Sequence, residues 1–180
     1  LRFLRSVRDV GGNVPMVGDA DDGIVFRLDA PGSDRAAQLL ALGDAVLRRQ
    51  DSGWASPHPG VRWLLHALPG KRPETDPHES ETGWAFPDGG YLLFGSHFGE
   101  ANEIKGMVDC GPLGYLGIAA HGHADALSLT MSVGGEECLV DPGTYAHHTQ
   151  AAWRQYFRGT GAHNTVRIDG EDQSVQGGSF

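Results

Sequence analysis

The chain has 180 residues, of which 39% are hydrophobic, and its formal net charge is −9 at pH 7. This length suffices for the core of one ordinary domain or for parts of two. The negative charge argues against a nucleic-acid-binding module, because such proteins carry a basic surface that neutralises phosphates. The sequence has no apolar run long enough to predict a membrane span.

The first part of the chain predicts helices. Leu1 to Val10 resembles a helix already under way, which suggests a piece of a longer protein. Ser33 is the predicted N-cap of a helix over Asp34 to Arg49, where apolar residues recur at helical spacing and two arginines occupy the last turn. A shorter helix is predicted over Val61 to Leu68, ended by Pro69-Gly70.

An acidic cluster, Gly18-Asp19-Ala20-Asp21-Asp22-Gly23, precedes the second and third of these predicted helices. Its composition suggests a calcium loop, but an EF-hand loop needs an oxygen ligand at its fifth position, where this sequence has Gly23. The cluster therefore predicts a polar turn.

The composition changes between Gly70 and Gly83, where Pro, Glu, Asp, Lys and Ser predominate and indicate a linker. Beyond it, short apolar segments separated by glycine-rich turns predict an antiparallel β-sandwich. We therefore predict a first domain over residues 1–70, a linker over 71–82 and a mostly β domain over 83–180. Its first strands are predicted over Trp84 to Phe86, Tyr91 to Ser96 and Met107 to Cys110. Cys110 and Cys138 are predicted to be buried free thiols.

Two histidines, His121 and His123, open an alternating stretch that ends at Val133. In an extended strand, residues two apart share one face and lie roughly 6 to 7 Å from each other. Both imidazoles would then lie at the entrance of an apolar face, close enough to serve one metal ion or one substrate. The alternation leaves open which of the two would hold a metal.

Further candidate ligands follow in separate elements. Gly134-Gly135 predicts a hairpin turn, and the returning strand ends at Asp141. His163 begins a strand-like run to Ile168, which an Asp169-Gly170 turn closes. Zinc prefers a few nitrogen, sulfur or carboxylate ligands that converge from different elements, and His123, Asp141 and His163 are chemically suited to bind it.

Several of these motifs together resemble the heparinase II/III-like family of polysaccharide lyases. They occur in order over roughly the last third of the chain, and a series of motifs is more specific than any one of them. The upstream resemblance, through the acidic cluster and the strands near Tyr91, is looser. The matching segments are His121–Ser128, Leu139–Tyr145, Trp153–Arg158, Ala162–Thr165 and Asp169–Ser174.

The resemblance implies a helical toroid followed by an antiparallel β-sandwich, with the active site in the cleft between them. On this basis residues 1–70 would hold the last toroid helices and residues 83–180 the first part of the sandwich. The fold class is then mostly β, and α+β overall. The family setting also implies a bacterial protein that is periplasmic or secreted.

The implied reaction is β-elimination at a uronic acid of an acidic polysaccharide or oligosaccharide. By position, His121 and Tyr145 match residues of the catalytic cleft, whereas His123, Asp141 and His163 match the zinc ligands. The family's principal catalytic tyrosine and the residue that neutralises the carboxylate come from the toroid, and neither is recognisable before Gly70. The chain alone is therefore expected to be inactive.

An acidic protein would have to grip a polyanionic substrate locally rather than through a broadly positive surface. The candidates for this contact are Arg154, Arg158 and Arg62.

Three other functions remain open from the residues. A metallo-hydrolase would use His-x-His-x-Asp, although the metallo-β-lactamase motif requires a histidine where Ala126 stands. A cupin-like iron site would also suit two histidines, a carboxylate and a later histidine. A non-catalytic carbohydrate-binding sandwich could stack sugars on Trp84, Tyr91 and Trp153, which core packing explains equally well.

Overall fold

The structure is a computed structural model that describes residues 1–20, 34–47 and 82–178. The chain divides into two compact units, one of Leu1–Arg8 with Asp22–Glu79, the other of Asp9–Asp21 with Ser80–Phe180. The predicted helix over Val61 to Leu68, Arg62, and all but the last residue of the predicted linker 71–82 lie outside the described residues.

The first unit contains two described helices, α1 (Arg2–Val7) and α2 (Arg35–Leu47). The Asp34 carboxylate accepts a hydrogen bond from the Ala37 N–H at 2.8 Å, which satisfies a free donor of the first turn of α2. Asp34 therefore performs the capping role that the sequence assigned to Ser33, a residue outside the described part. None of the helices in the described residues has the length and apolar character needed to cross a bilayer.

The second unit contains a five-stranded antiparallel sheet with its strands in chain order. This arrangement confirms the mostly β, antiparallel fold class. The predicted hairpin is also present, because Gly134 and Gly135 both have positive φ, as a two-residue hairpin turn requires. The strands are β1 (Gly83–Phe86), β2 (Tyr91–Ser96), β3 (Ile104–Asp109), β4 (Leu129–Val133) and β5 (Glu136–Leu139).

The predicted strand that begins at His121 is wrong, because β4 begins only at Leu129. His121 and Leu127 both have φ of 62°, a left-handed conformation that interrupts any extended strand. Within β4 the buried residues are Thr130 and Ser132, not the apolar ones. One reason is a contact with a segment distant in sequence, because Asp9 forms a hydrogen bond with Ser132.

The opposite face of the sheet is apolar and partly exposed. Leu92, Phe94 and Ile104 are among its exposed residues. In a β-sandwich such a face packs against a second sheet. The part of the chain that the structure describes has no second sheet. Both cysteines are free, as predicted, but they are exposed rather than buried.

The predicted strand from Ala162 to Ile168 is also wrong. A helix, α3 (Ala151–Arg158), is followed by a 3₁₀ turn over Thr160–Ala162. This turn and the residues after it contact the loop before β4 partly through side chains. The Thr160 and Thr165 hydroxyls, for example, each donate to a carbonyl of that loop at 2.6 Å. The predicted Asp169-Gly170 turn is present, with both residues at positive φ.

Glu103 ties the Asp9–Asp21 segment to the sheet. Its side chain accepts hydrogen bonds from the Val10 and Gly99 N–H groups at 2.8 Å each and lies 3.3 Å from Lys105 Nζ. We expect Glu103→Ala to lower the free energy of unfolding by about 3 kcal/mol, because it removes a buried carboxylate that accepts two backbone hydrogen bonds and lies beside the Lys105 ammonium. Chemical denaturation measures this change.

The matched control is Glu100→Ala, since the Glu100 side chain is 67% exposed and that of Glu103 only 2%. This control should stay within about 0.5 kcal/mol of the parent. Equal losses in the two variants would contradict the role given to Glu103.

Candidate metal centre and adjoining groove

Four side chains from three separate segments converge in the second unit. We call His123, Asp125, Asp141 and His163 the His/Asp cluster; one ligand atom from each lies within 4.8 Å of all the others. His123 and Asp125 belong to the loop before β4, Asp141 follows β5, and His163 follows α3. The three residues that the sequence proposed as zinc ligands are thus brought together, and Asp125 joins them.

The spacing within the His/Asp cluster suits a small cation. His163 Nδ1 lies 3.3 Å from Asp141 Oδ2 and 3.9 Å from Asp125 Oδ2. Two ligand atoms on a tetrahedral zinc ion, each about 2.0 to 2.2 Å from the metal, would be about 3.4 Å apart. The side chains therefore need only small shifts to coordinate one ion.

The hydrogen bonds of the two rings direct one nitrogen of each into the His/Asp cluster. The Phe157 carbonyl accepts a bond from His163 Nε2 at 3.0 Å, so Nδ1 is the nitrogen left to face the carboxylates. On His123 the Nε2 atom lies 3.0 Å from Asp19 Oδ1, while the buried Nδ1 has no hydrogen-bond partner in the described residues. A buried ring nitrogen without a partner is costly, and a metal ion would satisfy it. The donor set therefore fits zinc.

The pKa values of several groups in the His/Asp cluster are shifted by burial and by neighbouring charges. Burial raises the pKa of Asp125 to about 6, and the negative charges of Asp141 and Asp109 act in the same direction. Burial lowers the pKa of His123, which favours the neutral imidazole that binds metals. Burial alone would lower the pKa of His163, but the hydrogen bond with Asp141 and the charge of Asp141 raise this pKa overall.

Asp19 is a residue that the sequence did not identify as functional. Its buried carboxylate contacts both histidines of the His-x-His motif, with Oδ1 3.0 Å from His123 Nε2 and Oδ2 3.2 Å from His121 Nδ1. The Arg154 guanidinium donates to both carboxylate oxygens. Burial alone would raise the pKa of Asp19, yet the hydrogen bonds from Arg154 and His123 hold this pKa well below its usual range.

His121 faces a different environment from His123. Its side chain is 58% exposed, whereas that of His123 is fully buried. His123 is a member of the His/Asp cluster, whereas the exposed ring of His121 is not. Both histidines line an open groove of about 350 Å³. Other residues that line this His121 groove include Tyr91, Asp109, Leu113, Tyr115 and Asp125.

The two candidate substrate-binding arginines are largely buried. Arg154 is bonded to Asp19, and Arg158 donates through Nη1 to the Gly178 carbonyl at 2.9 Å. Both line a second groove of about 280 Å³, together with His147 and His148. We call it the arginine groove.

Tyr145, the second candidate catalytic residue, is exposed and packs against aromatic residues of α3. Its ring centroid is 5.3 Å from that of Phe157 and 5.8 Å from that of Trp153. Tyr145 is not one of the described residues that line the His121 groove.

Comparisons with known proteins identify a family and a shared fold. The family model described as heparinase II/III-like, C-terminal, matches residues 78–180. A solved heparinase III, the BT4657 gene product, has a TM-score of 0.64 at 17% identity, and the match covers 95% of this chain and 23% of that one. The heparan sulfate lyase HepC from Pedobacter heparinus gives 0.63 at 17%, with the same two coverages.

A further heparinase III structure gives a TM-score of 0.56 at 16% identity, covering 88% of this chain and 23% of that one. At these identities the likeness establishes a shared fold. No curated protein matched the chain. The chain thus spans 23% of the length of the solved structures it matches.

Proposed function

The chain belongs to the heparinase II/III-like family, and we propose that it is part of a polysaccharide lyase that cleaves a uronic-acid-containing acidic polysaccharide by β-elimination. The observation that carries the proposal is the His-x-His pair. His121 is exposed on a groove, and His123, two residues later, belongs to the His/Asp cluster. The matched structures named as heparinase III or heparan sulfate lyase support a glycosaminoglycan-like substrate.

The chemistry of β-elimination explains why such a site needs an imidazole. The C5 proton of a uronate is weakly acidic, so a base must be placed on it and a proton must reach the departing glycosidic oxygen. His121 holds Nδ1 against the Asp19 carboxylate, which leaves Nε2 to exchange a proton with substrate in the groove. We assign His121 the role of general base or acid on this ground.

Zinc is the cofactor we propose for the His/Asp cluster, with His123, Asp141 and His163 as ligands. A bound zinc ion would link three segments that are distant in sequence and add to the folding free energy. The buried Nδ1 of His123 and the short distance between His163 and Asp141 support this assignment.

Tyr145, Arg154 and Arg158 remain proposed substrate contacts, although none of them lines the His121 groove. The exposed Tyr145 ring can contact a sugar, and the arginine groove can receive an anionic group at the edges of its guanidinium groups. The Arg154 charge is largely balanced by Asp19, so Arg158 is the stronger candidate for an anion.

A second candidate is a non-catalytic carbohydrate-binding module. The observation that favours it is an exposed aromatic group, formed by Tyr145 together with Trp153 and Tyr156 of α3. Such rings offer flat apolar faces against which sugars stack.

The deciding experiment incubates the full-length protein with a panel of acidic polysaccharides, including heparan sulfate and alginate. We expect ultraviolet absorbance to rise with one of them, because each elimination creates a C=C bond conjugated to the carboxylate. The same polymer with its uronates reduced to neutral sugars is the matched control and should give no increase.

Products formed by addition of water would indicate a hydrolase instead. Binding of the polymer without any cleavage would favour the carbohydrate-binding module. Either result would contradict the proposed lyase activity.

A further inference from the structure

We propose that Asp19 is a positioning residue that fixes the protonated nitrogen on two histidines at once, so that His123 presents Nδ1 to the metal and His121 presents Nε2 to substrate. This inference rests on the proposed function, because it concerns how that site is arranged. It adds to the site a residue more than one hundred positions upstream of the His-x-His motif.

The first step of the argument is the chemistry of the carboxylate. An ionised carboxylate only accepts hydrogen bonds, so a ring nitrogen that contacts it must carry the proton. Oδ1 of Asp19 contacts Nε2 of His123, and Oδ2 contacts Nδ1 of His121. The two rings are therefore held in opposite tautomers by the two oxygens of one side chain.

The second step is that the carboxylate cannot rotate away. Arg154 donates one hydrogen bond to each oxygen, with Nη2 2.6 Å from Oδ2. Such a two-point contact fixes the plane of the carboxylate as well as its position. The Thr144 hydroxyl adds a third donor, 3.3 Å from Oδ1.

The third step concerns the backbone, which places Asp19 against the motif. The Asp19 N–H donates to the His121 carbonyl at 2.9 Å. Gly18 has φ of 55°, and a Cβ atom there would lie 2.4 Å from the same carbonyl oxygen. Only glycine allows this close approach, so Gly18 lets the backbone bring the Asp19 carboxylate to both histidines.

The opposing interpretation is that Asp19 only neutralises the buried Arg154. An ion pair would need no imidazole on either oxygen, yet each oxygen has one. Metal-bound histidines commonly donate their second nitrogen to a carboxylate, and His123 has that arrangement. On His163 the Phe157 carbonyl plays the same part.

The first test reads the tautomers directly by nitrogen NMR of the full-length protein labelled at histidine, without metal and with zinc. We expect a protonated Nε2 on His123 and a protonated Nδ1 on His121 in the metal-free protein. His121→Gln and His123→Gln would assign the signals. The reverse tautomer on either ring would overturn the inference.

The second test compares zinc affinity, measured by chelator competition, among full-length variants. Asp19→Asn alone would leave the Arg154 charge buried, so it is combined with Arg154→Gln, and Arg154→Gln alone is the matched control. We expect zinc to bind about 10- to 100-fold more weakly to the double variant. The control, which keeps the Asp19 carboxylate, should bind zinc within about threefold of the parent.

Equal weakening in the two variants would show that Asp19 acts only through the ion pair and would overturn the inference. A parent protein that binds no zinc would instead contradict the proposed metal centre. The tautomers of the metal-free protein would still decide the role of Asp19 in that case.

Discussion

The full-length protein, purified in the presence of zinc and then dialysed, should retain one zinc ion per chain, and His123→Ala or His163→Ala should abolish that retention. Each variant removes a ring nitrogen that faces the carboxylates of the His/Asp cluster and leaves only two of the three proposed ligands, too few for tight binding. Metal analysis of the dialysed protein measures the stoichiometry.

The same variants should lose several kcal/mol of folding free energy when they are compared with the zinc-loaded parent, because metal binding is coupled to folding. A chelator should destabilise the parent by a similar amount and have little effect on either variant. Denaturation with and without chelator gives both values.

His97→Ala is the matched control, since His97 is an exposed histidine in the same unit, in the turn after β2. It should keep the zinc and the stability of the parent. Retention of iron in place of zinc would favour the cupin-like alternative. Absence of any metal from the parent would contradict the zinc assignment.

Signals within short stretches of sequence predicted the sheet well. The Pro87–Gly90 turn and the Gly134-Gly135 turn each lie between two strands that pair in the structure. A turn between neighbouring strands depends on its own residues, so local composition is sufficient to place it. The fold class followed from several such turns together.

The local pattern failed where a contact from elsewhere set the conformation. Alternation from His121 onward predicted a strand, but His121 and Leu127 both adopt a left-handed backbone conformation. This conformation is typical of glycine, and neither position is a glycine. The alternation also did not predict that His121 is exposed while His123 is buried. Alternation also could not reveal which face of β4 the Asp9–Asp21 segment covers.

The sequence predicted the candidate metal ligands only from their residue types and from the order of the motifs that resemble the heparinase II/III-like family. Their convergence depends on contacts between segments 18 or more residues apart, which no periodicity encodes. Asp19 shows the limit most clearly. It stands in a run that resembles an ordinary polar turn, and only the structure pairs it with the motif around His121.

His121→Ala in the full-length enzyme should lower kcat by about 10² to 10⁴, the range expected when a general acid–base group is removed. Its ring is exposed on the groove and lies outside the His/Asp cluster, so its loss should leave the bound zinc in place. The initial rate at which unsaturated product forms tests the loss of activity, and the zinc content of the same sample tests the retention of the metal.

The contrast between neighbours makes this prediction specific, because His123→Ala, two residues away, should lose zinc and activity together. His97→Ala should change neither. A His121→Ala enzyme that retains its activity within about tenfold would remove His121 from the proton transfer, and the β-elimination would then need its acid and base from other groups of the full-length protein. Loss of zinc from His121→Ala would show instead that the two histidines act as one unit, although only His123 belongs to the His/Asp cluster.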